Sequence, residues 1–258
     1  MTYFVQVQIN PNLYLKNPQE TKLGRRIIEH SVLLIDEIGL EQFNFKKLAR
    51  RISASEASIY RYFENKHHLF VYLLNWYWEW MIARINLNTL NVTDPVTRLK
   101  VIIRIIVDTA NKNMAIEFVD EEILHKIVVR EGAKAYHHKL VDEDNSEGFF
   151  LAYKRLCELI ATTITELRPD FPYPKALAST IIETANNNLY FARHLPRLTD
   201  LKKGEGEDDL NDQVETMLEF FTTSLVHYDK RNIIAPVSKK IETSRKPIQV
   251  MNGANHSR

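Results

Sequence analysis

The chain has 258 residues, is 45% hydrophobic and carries a formal net charge of +1. That length is enough for one or two domains with buried cores, and the seven glycines indicate long helices with few tight turns. No apolar run approaches a membrane span, and the N-terminus lacks a basic start followed by a hydrophobic block. We therefore expect a cytoplasmic protein without membrane partners. The single cysteine, Cys157, excludes an internal disulfide and is interpreted as a core residue.

Charge is unevenly distributed along the chain. Residues 21–68 hold nine Lys/Arg and six Asp/Glu, whereas residues 91–228 hold sixteen and twenty-three. A basic first part followed by an acidic remainder is typical of a protein that turns one end toward a polyanion, because the acidic part is repelled from it.

The N-terminal segment shows two patterns. Residues 2–15 alternate apolar and polar, which predicts an extended arm; a minor-groove arm would need Lys or Arg, so we assign it no function. Asn17-Pro18-Gln19-Glu20 supplies a cap, a proline and an acid, and predicts that the first helix starts there. Gly39 is expected to end that helix in a left-handed conformation.

Residues 44–67 have the pattern of two short helices joined by a tight turn. Leu48, Ala49 and Ile52 form the apolar face of the first helix. Ser53-Ala54-Ser55 is the predicted turn, and a second helix is predicted from Glu56 to about Phe63. Asn44 and Ser55 fit as N-caps of the two helices. The pattern alone also occurs in helical proteins that never touch nucleic acid, but six Lys/Arg against two acids in residues 44–66 favour a phosphate-binding face.

These residues resemble the DNA-binding domain of the TetR family of regulators. The similarity covers about residues 23–73, and its most specific part is the run Tyr60-Arg61-Tyr62-Phe63 followed by Lys66. Leu48-Ala49, Ser55, Ile59, Leu69 and Gly39 also match. Two positions depart from the family, which usually has Gly-Val at Ser53-Ala54 and a basic or small residue at Glu56.

The resemblance implies an interface with double-stranded DNA. Lys66, Tyr60 and the free N–H groups at Asn44 and Ser55 suit phosphates, while Ser58, Arg61 and Tyr62 can reach base edges. The full predicted DNA-binding set is Asn44, Lys46, Lys47, Ser55, Ser58, Tyr60, Arg61, Tyr62 and Lys66.

The rest of the chain reads as a helical bundle. A connecting helix is predicted over 66–87, one opens at Asp94-Pro95, and others cover about 115–130, 146–167, 174–194 and 211–228. We predict an all-α fold with four parts: an N-terminal extension (1–17), a three-helix helix-turn-helix domain (18–68), a helical ligand-binding and dimerisation domain (69–230) and a disordered basic tail (231–258).

Ligand binding and dimerisation are the functions that the resemblance implies for the second domain. The last two long helices are expected to pair in a homodimer. Their bulk, given by Leu189, Tyr190, Phe191, Phe220 and Phe221, exceeds what one chain can cover. We expect an apolar or aromatic effector, which releases DNA. The predicted pocket residues are Tyr77, Thr109, Asn113, Phe118, His125, Phe149, Tyr153 and Asn187.

Enzymatic and metal functions find little support in the sequence. The chain lacks phosphate-binding and dinucleotide-binding loops and a nucleophile elbow, so we expect no enzyme and no cofactor. Histidines 125, 137 and 138 lie among acids, but no two have the spacing of a helical zinc motif, so no metal site is predicted.

The main hypothesis is a DNA-binding regulator, acting as a repressor, that a small molecule releases from a palindromic operator. The alternative is a helical small-molecule-binding protein that has lost operator-specific DNA binding, which the departures at Ser53, Ala54 and Glu56 keep open.

Overall fold

The computed structural model describes residues 7–108, 119–202 and 207–227, in which the regular secondary structure is helical, without a strand. The all-α prediction is confirmed. The helices are α1 (Lys22–Gln42), α2 (Phe45–Arg51), α3 (Glu56–Tyr60), α4 (Lys66–Thr89), α5 (Pro95–Val107), α6 (Glu121–Glu131), α7 (Ala133–Tyr136), α8 (Val141–Ser146), α9 (Leu151–Leu167), α10 (Pro174–His194) and α11 (Glu207–Val226). The predicted tail (231–258) and the first residues of the predicted arm lie outside the described ranges.

The N-terminal segment packs against the protein, which corrects the interpretation as an arm without a role. Val7, Ile9 and Leu13 are buried. The backbone N–H of Leu15 donates to the carbonyl of Tyr62 at 2.8 Å, which joins this segment to the end of the helix-turn-helix. Burial of three apolar side chains is worth several kcal/mol, so the segment contributes to the core.

The start of the first helix also differs from the prediction. Asn17 and Pro18 begin a short 3-10 helix over Pro18–Glu20, and α1 begins at Lys22 with Thr21 as its N-cap. The predicted cap and proline are present, but they start a single 3-10 turn and not the first α-helix. The backbone of Pro18 lies against the first turn of α1. A Cβ added at Gly24 would lie 2.2 Å from the carbonyl oxygen of Pro18. Only glycine fits there.

Gly39 has a positive φ of 75°, in line with the prediction, but with ψ of 156° it kinks α1 instead of ending it, and the helix continues to Gln42. A positive φ costs an L-residue with a side chain about 1 kcal/mol or more, so glycine suits this position.

The longest helix, α4, is the centre of the molecule. Trp76, Trp78 and Trp80 are all buried, although they point to different sides of the helix. This confirms the prediction that α4 has protein on more than one side. It packs against α5, α6 and α9, so a helix that starts beside α3 runs through the body.

The remaining helices agree with the sequence pattern in part. The bounds of α10 match the prediction, whereas α11 starts at Glu207 rather than about residue 211. The helix predicted over 146–167 starts later, as α9 at Leu151, because Gly148 has a φ of 78°, and the α8 helix before this glycine was not predicted. The short α7 was not predicted. In the described ranges, no helix is both long and apolar enough to cross a bilayer.

Candidate functional site

The helix-turn-helix forms where the sequence places it. The side chain of Asn44 accepts from the N–H of Lys47 at 2.9 Å, and that of Ser55 accepts from the N–H of Ser58 at 3.2 Å. Both predicted caps are thus in place. Phe45, Leu48 and Ala49 of α2 are buried, as is Ile59 of α3. The two short helices are held by this shared apolar contact, and their polar sides face outward.

The turn has an unusual backbone conformation at Ser53, where φ is 49°. This is the position at which the TetR family usually has glycine. The turn therefore has a left-handed conformation at a serine, whose Cβ makes that conformation unfavourable.

Three cations of this region are exposed and form no ion pair or side-chain hydrogen bond with other described residues: Lys46, Arg50 and Arg61. Tyr60 is 47% exposed and its ring lies edge-on to Phe45, with centroids 5.0 Å apart. Exposed cations beside a half-exposed tyrosine on α2 and α3 form a surface that can bind phosphates.

Other cations nearby are already engaged. Arg51 donates to both carboxylate oxygens of Glu37 at 2.6 and 2.7 Å, and this pairing lowers the pKa of Glu37. Lys47 Nζ donates to the carbonyl of Gln42 at 2.9 Å. Lys66 Nζ donates to the carbonyl of Leu40 at 3.1 Å, at the end of α1. Lys66 thus caps a helix C-terminus, where a cation is favourable.

Tyr62 is located in the core rather than on the surface predicted for it. Its side chain is 2% exposed, and its hydroxyl lies 2.7 Å from Thr21 Oγ1. A buried ring cannot reach a base edge, so we leave Tyr62 out of the candidate face. The sequence could not separate Tyr60 from Tyr62, because both flank Arg61 at the end of a short helix.

Residues 27–73 match the sequence model of bacterial regulatory proteins of the tetR family. These residues therefore have the sequence pattern of a TetR-family DNA-binding domain. The match includes α2, α3 and the first third of α4, and it confirms the resemblance on which the helix-turn-helix assignment was based.

Curated relatives match the same region. The nucleoid occlusion factor SlmA of Haemophilus influenzae (strain PittGG) is 33% identical over 81 residues, which is 31% of this chain and 37% of that protein. SlmA of Photorhabdus laumondii is 31% identical over 104 residues, covering 40% of this chain and 50% of that protein. The chain thus spans half or less of the relatives' length.

A solved structure extends the likeness to the body. A TetR-family transcriptional regulator from Syntrophomonas wolfei aligns with a TM-score of 0.57 at 17% identity, covering 80% of this chain and 96% of that one. At this identity the likeness concerns the fold, which is a TetR-like helical domain behind the helix-turn-helix.

The TetR-like body contains a cavity of about 240 Å³ between α6 and α10. His125, Lys126, Val129, Arg130, Asn186, Leu189, Tyr190, Arg193 and His194 line it. Of the predicted pocket residues that the structure describes, only His125 does so. The lining combines apolar surface with several cations, which the sequence analysis did not anticipate.

His125 is bonded to a second predicted residue. Its Nδ1 lies 2.9 Å from the hydroxyl of Tyr77, and both side chains are buried. Burial, with the charges of Arg193 and Lys126, lowers the pKa of His125 to about 3. Burial raises the pKa of Tyr77. We therefore expect a neutral imidazole that accepts a hydrogen bond from the tyrosine.

The other predicted pocket residues are dispersed. Phe149 is buried against His68, with ring centroids 5.1 Å apart, and Tyr153 donates to Glu183 at 3.1 Å. Asn187 is exposed on α10. These three lie outside the cavity lining, and Thr109, Asn113 and Phe118 lie outside the described residues.

A polar cluster that the sequence did not predict joins the start of α4 to α8. His67 and His138 both approach the carboxylate of Asp144. The spacing rule for metal sites compares residues on one helix, so it could not pair His67 with residues more than seventy positions away.

Apolar residues on α11 are exposed. Phe220 is 67% exposed, Phe221 45% and Leu225 47%. On α10, Leu189 is buried, contrary to the prediction, while Tyr190 and Phe191 are half-buried.

Proposed function

We propose that this protein is a DNA-binding transcriptional regulator that acts as a repressor in the cytoplasm and responds to a small molecule. The observation that carries the proposal is a TetR-family helix-turn-helix whose outer face presents Lys46, Arg50 and Arg61 free of ion pairs with other described residues. Cations that are neither buried nor neutralised are available to replace the counterions of DNA.

The roles of the face follow from its chemistry. Lys46 and Lys47 lie in the first turn of α2, beside Asn44. Lys46 suits the phosphate backbone as it stands, and Lys47 does so when it gives up its bond to the carbonyl of Gln42. Arg61 follows α3 and Ser58 lies within it. These two side chains suit base edges in the major groove, since a guanidinium pairs with two acceptors of guanine. Tyr60 and Ser55 complete the proposed face.

Lys66 has a different role in this proposal. Because its ammonium binds the carbonyl of Leu40, it fixes the end of α1 against the start of α4. Lys66→Ala should therefore weaken DNA binding by loosening the domain more than by removing one phosphate contact.

A structural neighbour supports the proposal. A solved structure of AibR, in complex with isovaleryl coenzyme A and operator DNA, aligns with 75% of this chain at a TM-score of 0.52 and 14% identity. That protein combines an operator with an acyl coenzyme A. We infer the same division of labour here, with DNA on the helix-turn-helix and an effector in the body.

The test is selection of bound duplexes from a random DNA pool, followed by titration of the selected duplex at several salt concentrations. Lys46→Ala should weaken binding to all sequences similarly and reduce the salt slope by roughly one unit. Arg61→Ala should change which base is preferred, at a cost of about 1–3 kcal/mol at that position.

The matched control is Lys175→Ala, which removes an exposed cation at the start of α10. It should leave both affinity and sequence preference unchanged. If no sequence is enriched and all three variants bind DNA as weakly as the wild type, the hypothesis of a DNA-binding regulator is wrong. The protein is then better described as a helical small-molecule-binding protein without an operator.

A further inference from the structure

Three side chains that can ligate metals meet beside the beginning of α4. His67 Nε2 lies 2.5 Å from Asp144 Oδ2, and His138 Nε2 lies 3.1 Å from the same oxygen. The centroids of the two imidazole rings are 4.7 Å apart. One candidate ligand atom from each residue lies within 4.8 Å of the other two.

The cluster is fixed by backbone structure on each side. His67 is the second residue of α4, and its helix is capped by Asn65. The N–H of Asp144 donates to the carbonyl of Leu140, and the carbonyl of Asp144 accepts from the N–H of Phe149, both at 3.0 Å. His138 lies in the connection between α7 and α8. Parts of the chain far apart in sequence thus hold the three groups together.

Because Asp144 is largely buried, its negative charge needs a nearby positive charge. The side chain of Asp144 is 12% exposed, and those of His67 and His138 are 33% and 24% exposed. A carboxylate removed from water needs a compensating cation. Among the described residues its ion-pair partners are these two imidazoles, which carry charge only when protonated.

We propose that His67, His138 and Asp144 form a binding site for a divalent transition-metal ion of the zinc class, with water in the open position. Two imidazole nitrogens and one carboxylate oxygen are a common ligand set for such ions, and three protein ligands leave a place for solvent. Metal–ligand distances of about 2.0 Å place ligand atoms roughly 3.3 Å apart, so side-chain rotations of an ångström or so close the site.

Metal binding changes one contact in the cluster. The N–H of Leu140 donates to Nδ1 of His138 at 3.3 Å, which leaves the ring proton of a neutral His138 on Nε2. A neutral His138 that ligates the metal through Nε2 carries its proton on Nδ1 instead, so Nδ1 no longer accepts and this long hydrogen bond is lost. The competing description is a cluster held by shared hydrogen bonds alone.

The experiment titrates Co²⁺ into the untagged full-length chain, without DNA, and records visible absorption and heat. One equivalent should bind with d–d bands that Zn²⁺ then abolishes. His67→Gln and Asp144→Asn should each weaken binding about tenfold or more. The matched control is His137→Gln, which removes the exposed neighbour of His138 and should leave binding unchanged.

Two outcomes would overturn the site. They are absence of the bands in the wild type, or equal Co²⁺ affinity in the wild type and the double variant His67→Gln/His138→Gln. Circular dichroism checks folding; if Asp144→Asn unfolds, the more exposed His67→Gln still decides the question. The site does not depend on the proposed function, because DNA affinity of the metal-free protein reports on the helix-turn-helix separately.

Discussion

Ser53 adopts a φ of 49° in the turn between α2 and α3. A left-handed conformation brings the Cβ of an L-residue close to the following carbonyl oxygen, and glycine avoids this contact. The serine therefore stores strain between the two helices of the DNA-binding domain. Its neighbours compensate, since the caps at Asn44 and Ser55 fix the chain on both sides.

Ser53→Gly should raise the free energy of unfolding by about 0.5–1 kcal/mol, because relief of strain exceeds the extra chain entropy of glycine. Ser53→Ala keeps a Cβ and should give no increase. Urea denaturation of the three proteins measures the effect. A gain in the alanine variant equal to that in the glycine variant would show that the strain is not the cause.

His125 links protonation to stability. Its folded-state pKa of about 3 lies below the ordinary value of 6.5. The unfolded chain thus takes up a proton near pH 6.5 that the folded chain accepts only near pH 3. Stability from the neutral imidazole is complete above about pH 6.5 and is lost as the pH falls from 6.5 toward 3.

His125→Gln removes this titration and keeps an acceptor for the hydroxyl of Tyr77. The wild type should lose stability relative to the variant as the pH falls from 6.5 to 4.5, with a slope difference of up to about 1.4 kcal/mol per pH unit. Chemical denaturation at a series of pH values measures the slope. Equal slopes in the two proteins would mean that folded His125 accepts a proton normally.

At the scale of elements, the N-terminal segment and α1 form a unit. The 3-10 helix Pro18–Glu20 lies so close to α1 that Gly24 meets the backbone of Pro18. The same segment continues to Leu15, which bonds the carbonyl of Tyr62. The residues before α1 therefore contact both α1 and the end of the helix-turn-helix, and stabilise them.

Gly24→Ala should destabilise the protein by about 2 kcal/mol, because the added methyl meets backbone atoms that cannot move aside without displacing the segment. Lys22→Ala, at an exposed position of the same helical turn, should change stability little. Thermal denaturation compares the two variants. A Gly24→Ala protein as stable as the control would contradict the close approach.

For the whole molecule, the exposed apolar surface of α11 is the strongest sign of self-association. Two copies related by a two-fold axis present two recognition helices to the two halves of a palindrome. We propose a homodimer through α10 and α11. The burial of Leu189 places the centre of the proposed contact on Phe220, Phe221 and Leu225 rather than on α10.

Phe220→Glu/Leu225→Glu should therefore convert a dimer into a monomer and abolish operator binding while leaving the helical content intact. Leu87→Glu, which changes an equally exposed leucine on α4, should leave the dimer unaffected. Light scattering at micromolar concentration measures the mass. A wild-type monomer would contradict the proposal directly.

Effector binding belongs to the same scale. We propose that the cavity between α6 and α10 accepts an apolar or aromatic body. The cavity wall is coupled to the central helix, since His125 bonds Tyr77 and Tyr77 lies 5.9 Å from Trp80 between ring centroids.

An effector should accordingly alter tryptophan emission and weaken operator binding over one concentration range, because it can shift the equilibrium only by its preference for the released conformation. A series of apolar and aromatic compounds of increasing size is the probe. A compound that binds tightly and changes the fluorescence, yet leaves DNA affinity unchanged, would show that the cavity is not coupled to the helix-turn-helix.

Local signals were enough to define the helix-turn-helix. The caps at Asn44 and Ser55, the apolar spacing of α2 and the bounds of α10 could be predicted because each depends on residues within a few positions of one another. The same holds for Gly39, since a positive φ is a property of one residue. The all-α fold class followed from these short-range patterns, and the type of DNA-binding domain followed from the resemblance of residues 23–73 to the TetR family.

Tertiary structure decided which side chains are available. Tyr60 and Tyr62 are equivalent in the sequence, but packing against Thr21 buries one and leaves the other on the surface. The sequence predicts that Lys66 contacts a phosphate, but in the structure its ammonium binds the carbonyl of Leu40 at the end of α1. The meeting of His67 with Asp144, like the cations around His125, depends on contacts between distant segments. Such contacts leave no periodic pattern in the chain, because they arise only when the helices pack.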